Sequence, residues 1–324
     1  MMLFTTLVCL IGAVSVTGQQ QPTVRGGGVG GNGNGNGATT ATPNVHLRSL
    51  QDDDSGPILT DPSCNGAPIL IESNETSTVE LILTDDISCG DGTALTITQN
   101  NTILNCQGYT VRRNETFQTS EGIYDPSSSP GSGGGGFFVT GAAVSIEADN
   151  VTLTNCDIFG FIDGIVMDRY ITGPTTIQNV TATANTANGI KTFGTVSIEN
   201  SIFTGNGRTG LSVMGGSADI TSSAMNSNGG SGAFVNDGAS AGFFNVQLND
   251  NGMPQVWGQG VGLVVAPFSK TTVFQTEVCG NKDGAFRVLV PREGESSGVI
   301  QVEVTTCDDS VNCEFECDPT AFSR

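Results

Sequence analysis

Few residues of this 324-residue chain are of types that do chemistry. His46 is the only histidine and Trp257 the only tryptophan. Asp157, Asp163, Asp168, Arg169 and Lys191 are the charged residues that gather in the middle of the sequence. Carboxylates beside cations can hold a divalent ion, pass a proton, or only neutralise one another. For Asp168 with Lys191 the simplest expectation is an ordinary surface salt bridge. Asp163-Gly164 and Asp283-Gly284 are simplest as turns into the strand that follows. Metal sites built on imidazole have no candidate, because His46 lies outside the patterned part of the chain.

Those charges ride on a repeat. VTLTNCDIFGFIDGIVM, TTIQNVTATANTANGIKTF, VSIENSIFTGNGRTGLSVM and ADITSSAMNSNGGSGAFVN share one plan. Each opens with alternating apolar residues, crosses an Asn/Gly-rich turn, and resumes at a glycine followed by further alternation. The glycines Gly164, Gly189, Gly210, Gly232, Gly262 and Gly284 are spaced 25, 21, 22, 30 and 22 residues apart. Strand-type alternation at such a period predicts an all-β solenoid with one coil per repeat. Ala94–Arg113 is the first full coil, and it continues at Ala143 once an insertion over 114–141 is set aside. The predicted helix spans 94–304, between an N-terminal cap over 59–93 and a Cys-rich C-terminal cap over 305–324. A smaller excursion, Asn249–Gly260, accounts for the 30-residue interval.

Stacked coils lie about 4.8 Å apart, so equivalent residues form columns. Asn105, Asn155, Asn179, Asn200, Ser222 and Asn245 form one, expected to face inward at a coil corner and to bond amide to amide. That expectation leaves Asn179 no room for a glycan. Ile165/Met167, Ile190/Thr192, Leu211/Val213, Ala233/Val235 and Leu263/Val265 should line the core. Period-two geometry then turns Val166, Lys191, Ser212, Phe234 and Val264 outward, beside Asp168, Phe193, Met214, Asn236 and Ala266. Phe193, Met214 and Phe234 on one outward sheet mark either a face covered by the chain itself or a binding face. At GAFRVLV the alternation slips and would aim Arg287 inward, so a bulge or register change is expected there.

The ends and the composition set the setting. Residues 1–18 carry an apolar run too short to cross a membrane and ending in small residues, the pattern of a secretory signal. Residues 19–58 are Gly/Asn-rich and apolar-poor, and are expected to be disordered. Cys9 would leave with the signal, and eight cysteines remain, the even number of a disulfide framework. Cys106 and Cys156 share a column and should bond, and by the same reasoning Cys279 is expected near Cys307. That leaves Cys64 with Cys89 and Cys313 with Cys317 as the remaining expected pairs, the exact pairing staying open. Asn74, Asn100, Asn114 and Asn150 are the expected glycosylation acceptors. There are 32 acidic against 12 basic residues, a net charge of −20, which argues against nucleic acid as a partner.

NNTILNCQGYTV, DNVTLTNCDIFGFIDGIVM and VSIENSIFTGNGRTGLSV resemble the right-handed parallel β-helix proteins of the pectate-lyase-like superfamily. The resemblance implies a single-stranded right-handed parallel β-helix and a choice among polysaccharide lyases, glycosidases, epimerases and proteins without activity. The coils carry no histidine for the motifs of the glycosidases, the carboxylate pairs Asp85-Asp86 and Asp308-Asp309 lie near the ends, and Tyr170 has no histidine partner of the kind the epimerases use. A lyase of this family would need Ca²⁺-binding carboxylates and a cationic base, for which Asp157, Asp163, Asp168, Arg169 and Lys191 are the candidates. The expectation is a secreted, noncatalytic protein that binds an extracellular glycan or surface protein and needs no cofactor. The alternative is a divergent Ca²⁺-dependent polyuronate lyase.

Overall fold

The computed structural model describes residues 45–49, 69–71, 78–90, 92–113, 141–252, 260–289 and 299–304. Every described element is a β-strand, and the strands stack into three sheets. The ten-stranded sheet includes Thr152–Thr154, Thr175–Gln178, Thr195–Glu199, Ser217–Thr221, Ser240–Phe244 and Lys270–Phe274. The nine-stranded sheet includes Asp163–Met167, Ile190–Thr192, Leu211–Val213, Ala233–Val235, Leu263–Val265 and Phe286–Val288. The five-stranded sheet contains Ile87–Cys89, Thr110–Arg113, Asp157–Phe159, Thr181–Thr183 and Ile202–Thr204. The chain visits one strand of each sheet per coil and pairs it in parallel with the coil before, giving a right-handed parallel β-helix.

Parallel stacking starts before Ala94, since Ile69–Ile71 pairs with Leu95–Ile97 and Val79–Leu83 with Thr102–Asn105. Val45–Ser49, which the composition places in the disordered leader, is a strand paired antiparallel to Val79–Leu83. It satisfies the edge that an open solenoid end would otherwise leave unpaired.

The core is a file of stacked side chains. Ile165, Ile190, Leu211, Ala233 and Leu263 follow one another at the registers Ile165↔Ile190, Ile190↔Leu211, Leu211↔Ala233 and Ala233↔Leu263, and all are fully buried. Leu104, Leu153, Ile177, Ile198, Ile220, Phe243 and Val273 form the facing file. Burying each of the larger side chains, Ala233 excepted, contributes roughly 1.5–3 kcal/mol relative to exposure. Cys106 and Cys156 are bonded with Cα atoms 4.8 Å apart, one rung, and so fasten the coils on either side of the insertion. Cys89 and Cys279 are each in a disulfide, and the cysteines expected as their partners, Cys64 and Cys307, lie outside the described residues with Cys313 and Cys317.

The asparagine column behaves otherwise than expected. Asn155, Asn179, Asn200, Ser222 and Asn245 adopt left-handed φ values of 48–55° and sit at the outer surface of a corner. They link only in places: Asn155 Nδ2 donates to Asn105 Oδ1 at 3.0 Å, Asn179 Nδ2 to Asn155 Oδ1 at 3.3 Å and Asn245 Nδ2 to the Ser222 hydroxyl at 3.3 Å. Short polar side chains tolerate the left-handed region, which is why asparagine recurs there. Asn179 is accordingly exposed rather than sealed inside.

The inward ladder is a different set, Asn185, Asn206, Asn228, Asn251 and Asn281. Its rungs Nδ2 to Oδ1 measure 3.0, 3.1, 3.1 and 2.9 Å. Each Oδ1 also accepts the backbone N–H of the preceding ladder residue, at 3.0–3.1 Å. Asn206 Nδ2 donates in addition to Ala182 O, and Asn228 Nδ2 to Phe203 O. The repeat glycines make room for it. A Cβ on Gly189 would stand 2.7 Å from Gly210 O and 2.9 Å from Asn206 Nδ2, and one on Gly210 would stand 2.8 Å from Asn228 Nδ2. At the last coil Ala285 takes the glycine place and Phe286 pairs with Leu263. That one-residue shift past Gly284 turns Arg287 outward, not inward.

Asp149 clamps the next coil. Its Oδ1 accepts the N–H groups of Thr172 and Gly173, both at 2.7 Å, and its Oδ2 the Thr172 hydroxyl at 3.2 Å. The Gly173 N–H foremost, and the Thr172 N–H next, hold its carboxyl below the usual aspartate range.

Two expectations follow. Asn228→Ala should lower unfolding stability by about 3 kcal/mol, since it strands buried donors and opens a cavity. Gly189→Ala should destabilise comparably, whereas Asn200→Gly at the outer corner should change stability by less than about 0.5 kcal/mol. Thermal or urea unfolding of the three variants separates inner ladder from outer corner. A lowered folded-state pKa stabilises above the ordinary aspartate pKa, and the gain is lost as pH falls through the folded value. The wild-type advantage in melting temperature over Asp149→Asn should therefore shrink on acidification through that window.

Candidate functional site

Lys191 stands outward because Ile190 and Thr192, on either side of it, are fully buried in the core. It pairs in register with Val166 on the coil before and Ser212 on the coil after. Asp168 makes the last sheet bond of its strand, from its N–H to Ile146 O at 2.9 Å. Its Oδ1 then accepts the Tyr170 N–H at 3.3 Å, a local turn that carries Arg169 to the surface. Phe193, half-buried, follows Thr192 on the same outward face as Lys191. The Lys191 ammonium lies 5.3 Å from the Phe193 ring centre, and the Arg169 guanidinium lies 5.8 Å from it. One ring thus attends two cations.

The expected salt bridge between Asp168 and Lys191 does not form. Asp168 is engaged with its own turn, and Lys191 leans along the strand onto the ring two residues ahead. Among the described residues no carboxylate pairs with Lys191 or Arg169. The other acidic candidates are scattered. Asp163 Oδ1 accepts the Asn188 N–H at 3.0 Å and Asn188 Nδ2 at 2.7 Å, which locks a turn. Asp157 is on the five-stranded sheet. Three His, Cys, Asp or Glu side chains converge nowhere among the described residues, so the donor set expected for Ca²⁺ is not assembled.

Met214 continues the row beyond Phe193, its N–H bonded to Thr192 O at 2.8 Å. Phe234 stands between Ser212 and Val264 in the neighbouring row. Phe193, Met214 and Phe234 are all half-buried, while the outward Val264 and Ala266 are each only 2% exposed. The face is therefore open toward Arg169, Lys191 and Phe193, and closed toward Val264. Tyr170, 81% exposed, borders its open end.

A second surface escapes the sequence reading. On the five-stranded sheet, Thr110, Arg112, Asp157, Phe159, Thr181 and Thr183 line an open groove of about 410 Å³. Phe159 is 41% exposed there. Its signal is visible in CDIF: if Cys156 and Ile158 face inward, Asp157 and Phe159 must face out.

Residues 132–271 match a protein family described as "Right handed beta helix region". A comparison with curated proteins finds no match. Among solved structures, the chain is similar to the enzymatically active domain of tailspike protein 2 from bacteriophage CBA120, at 14% identity and a TM-score of 0.41. That alignment takes in 73% of this chain but 40% of the tailspike chain, so this protein spans less than half of its length. It is also similar to a pectate lyase, at 9% identity and a TM-score of 0.37, over 76% of this chain and 70% of that one. The A-module of an Azotobacter vinelandii mannuronan C-5 epimerase matches at 13% identity and a TM-score of 0.30, over 74% of this chain and 88% of that one.

The contacts on the nine-stranded sheet make a quantitative expectation. A double-mutant cycle on Asp168 and Lys191 should give a coupling below about 0.3 kcal/mol. The cycle on Lys191 and Phe193 should give about 0.5–1 kcal/mol, measured by thermal unfolding.

Proposed function

We propose that this protein is a secreted, noncatalytic glycan-binding β-helix, and that its binding face is the outward surface of the nine-stranded sheet around Phe193. The observation that carries the reading is Lys191 and Arg169 held over one ring, with no carboxylate neutralising either among the described residues, in a chain of net charge −20. In so acidic a protein, cations find carboxylate partners easily. Two left open beside an aromatic ring suit a ligand that brings its own negative charge.

The balance of charges narrows the ligand. Repulsion between a distant surface carboxylate and the ligand is screened beyond about 8 Å at physiological salt. Two cations next to the ring can then hold one acidic substituent, but not a long polyanion crossing the whole acidic surface. The ligand class is a glycan with isolated acidic sugars, stacked on Phe193 and bordered by Met214 and Tyr170. Export is supported by the Cys106–Cys156 bond, which persists in oxidising compartments, and by the apolar N-terminal run. Asp163 and Asp168 both serve turns, which supports a binding rather than a catalytic role.

Binding of the full secreted chain to an array of acidic and neutral glycans tests this. Acidic glycans should be retained on this face, more weakly as salt rises. Phe193→Ala and Lys191→Ala should each lower affinity about tenfold, near 1.4 kcal/mol. Retention of the same glycans by both variants at wild-type strength would overturn the assignment. Unsaturated uronate products, absorbing in the ultraviolet and abolished by a chelator, would replace it with a lyase.

A further inference from the structure

The groove on the five-stranded sheet lies on a different wall of the rod and plays no part in the reading above. Two outward rows form it. Thr110, Asp157, Thr181 and Ile202 are paired in one row, and Arg112, Phe159, Thr183 and Thr204 in the other. The inward residues between them, Val111, Ile158, Ala182 and Phe203, are sealed in the core, so the outward set is fixed by the pleat.

Three features of this groove stand together. An aromatic ring, Phe159, is left 41% exposed in it. Arg112 and Asp157, on adjacent strands and opposite in charge, form no ion pair with each other. The Asp157 carboxylate, the Arg112 guanidinium and the hydroxyls of Thr181 and Thr183 have no hydrogen-bond partner among the described residues. A ring flanked by a free acceptor, a free fork of donors and free hydroxyls is the lining of a binding groove.

From these residues we infer that the groove is a second carbohydrate site, for a neutral pyranose oligosaccharide. The sheet's own backbone groups are consumed in the ladders, so only side-chain tips face the ligand. A peptide would bring N–H and C=O groups that the sheet face cannot pair. A sugar brings hydroxyls that both donate and accept, and a C–H face that lies against a ring. Asp157 accepts from two neighbouring hydroxyls, Arg112 donates to ring or glycosidic oxygens, and the threonines do either. An acidic sugar would meet Asp157, whose charge Arg112 balances, so the groove as a whole favours an uncharged ligand. Rungs about 4.8 Å apart match the advance of one pyranose unit along an extended chain, which places successive sugars on successive coils.

The test is calorimetric and NMR titration of the full chain with cellohexaose, laminarihexaose, mannohexaose and xylohexaose. At least one should bind, with shifts centred on the Phe159 ring. Phe159→Ala should weaken it at least tenfold and Asp157→Asn about fivefold, each with an unchanged melting temperature. Phe193→Ala should leave it within twofold of wild type. No binding of any of the four, or binding indifferent to Phe159→Ala, overturns the inference. Neutral binding lost in Phe193→Ala but kept in Phe159→Ala also overturns it. Because acidic-glycan binding is read separately through Phe193 and Lys191, failure of either site leaves the other standing or falling on its own result.

Discussion

The buried amide ladder is the constraint on which this rod depends. A parallel β-helix must turn a corner once per sheet in every coil, and each corner removes backbone groups from the ladders and hides them from water. Asn185, Asn206, Asn228, Asn251 and Asn281 meet that demand with side chains that donate to the next amide and accept a backbone N–H in the same stroke. The arrangement works only if successive coils keep one spacing and one register. It therefore forbids a Cβ at Gly189 and Gly210, where the amide and the facing carbonyl already fill the space. The last coil keeps the same spacing with a different residue: Ala285 stands four residues after Asn281, as Gly189 stands after Asn185, and Asn281 still accepts from Asn251 at 2.9 Å.

A rod so held has a rigid lattice of outward positions, and its surface chemistry is decided by which residues occupy that lattice. Lys191, Phe193 and Arg169 meet because two adjacent coils deliver them to one side, Lys191 fixed by buried Ile190 and Thr192 and Arg169 carried outward by the Asp168 turn. The same holds on the five-stranded sheet, where Arg112, Asp157 and Phe159 come from successive coils. Sites of this kind are preorganised at little entropic cost, since the backbone beneath them is already ordered by the core. Their charges also differ in kind: two unpaired cations on one wall, and a balanced pair on the other.

The turns carry the rest of the polar work. Asp149 and Asp163 accept from backbone N–H groups of the following coil, and Asp163 also from the Asn188 amide, so these two carboxylates hold coil to coil, whereas Asp168 closes its own turn. Acidic residues used this way are removed from the pool available for metal ions or proton transfer.

The sequence by itself determined the period, the strand alternation, the inward files from Ile165 to Leu263 and the pairing of Cys106 with Cys156. All of these rest on local pattern repeated at a fixed interval. It also contained the true ladder, because an asparagine stands four residues before Gly189, Gly210 and Gly232. That column lost to Asn155, Asn179 and Asn200 since both sets recur once per coil, and periodicity cannot tell an inner corner from an outer one. Only the tertiary structure decided which asparagines are buried, because that depends on backbone φ and on which way the chain bends between sheets. It alone turned Lys191 from Asp168 toward Phe193, and opened a groove at Phe159 while closing the face at Val264. Those outcomes are set by distances between side chains on different coils, and linear spacing does not encode how far a side chain reaches across a rung.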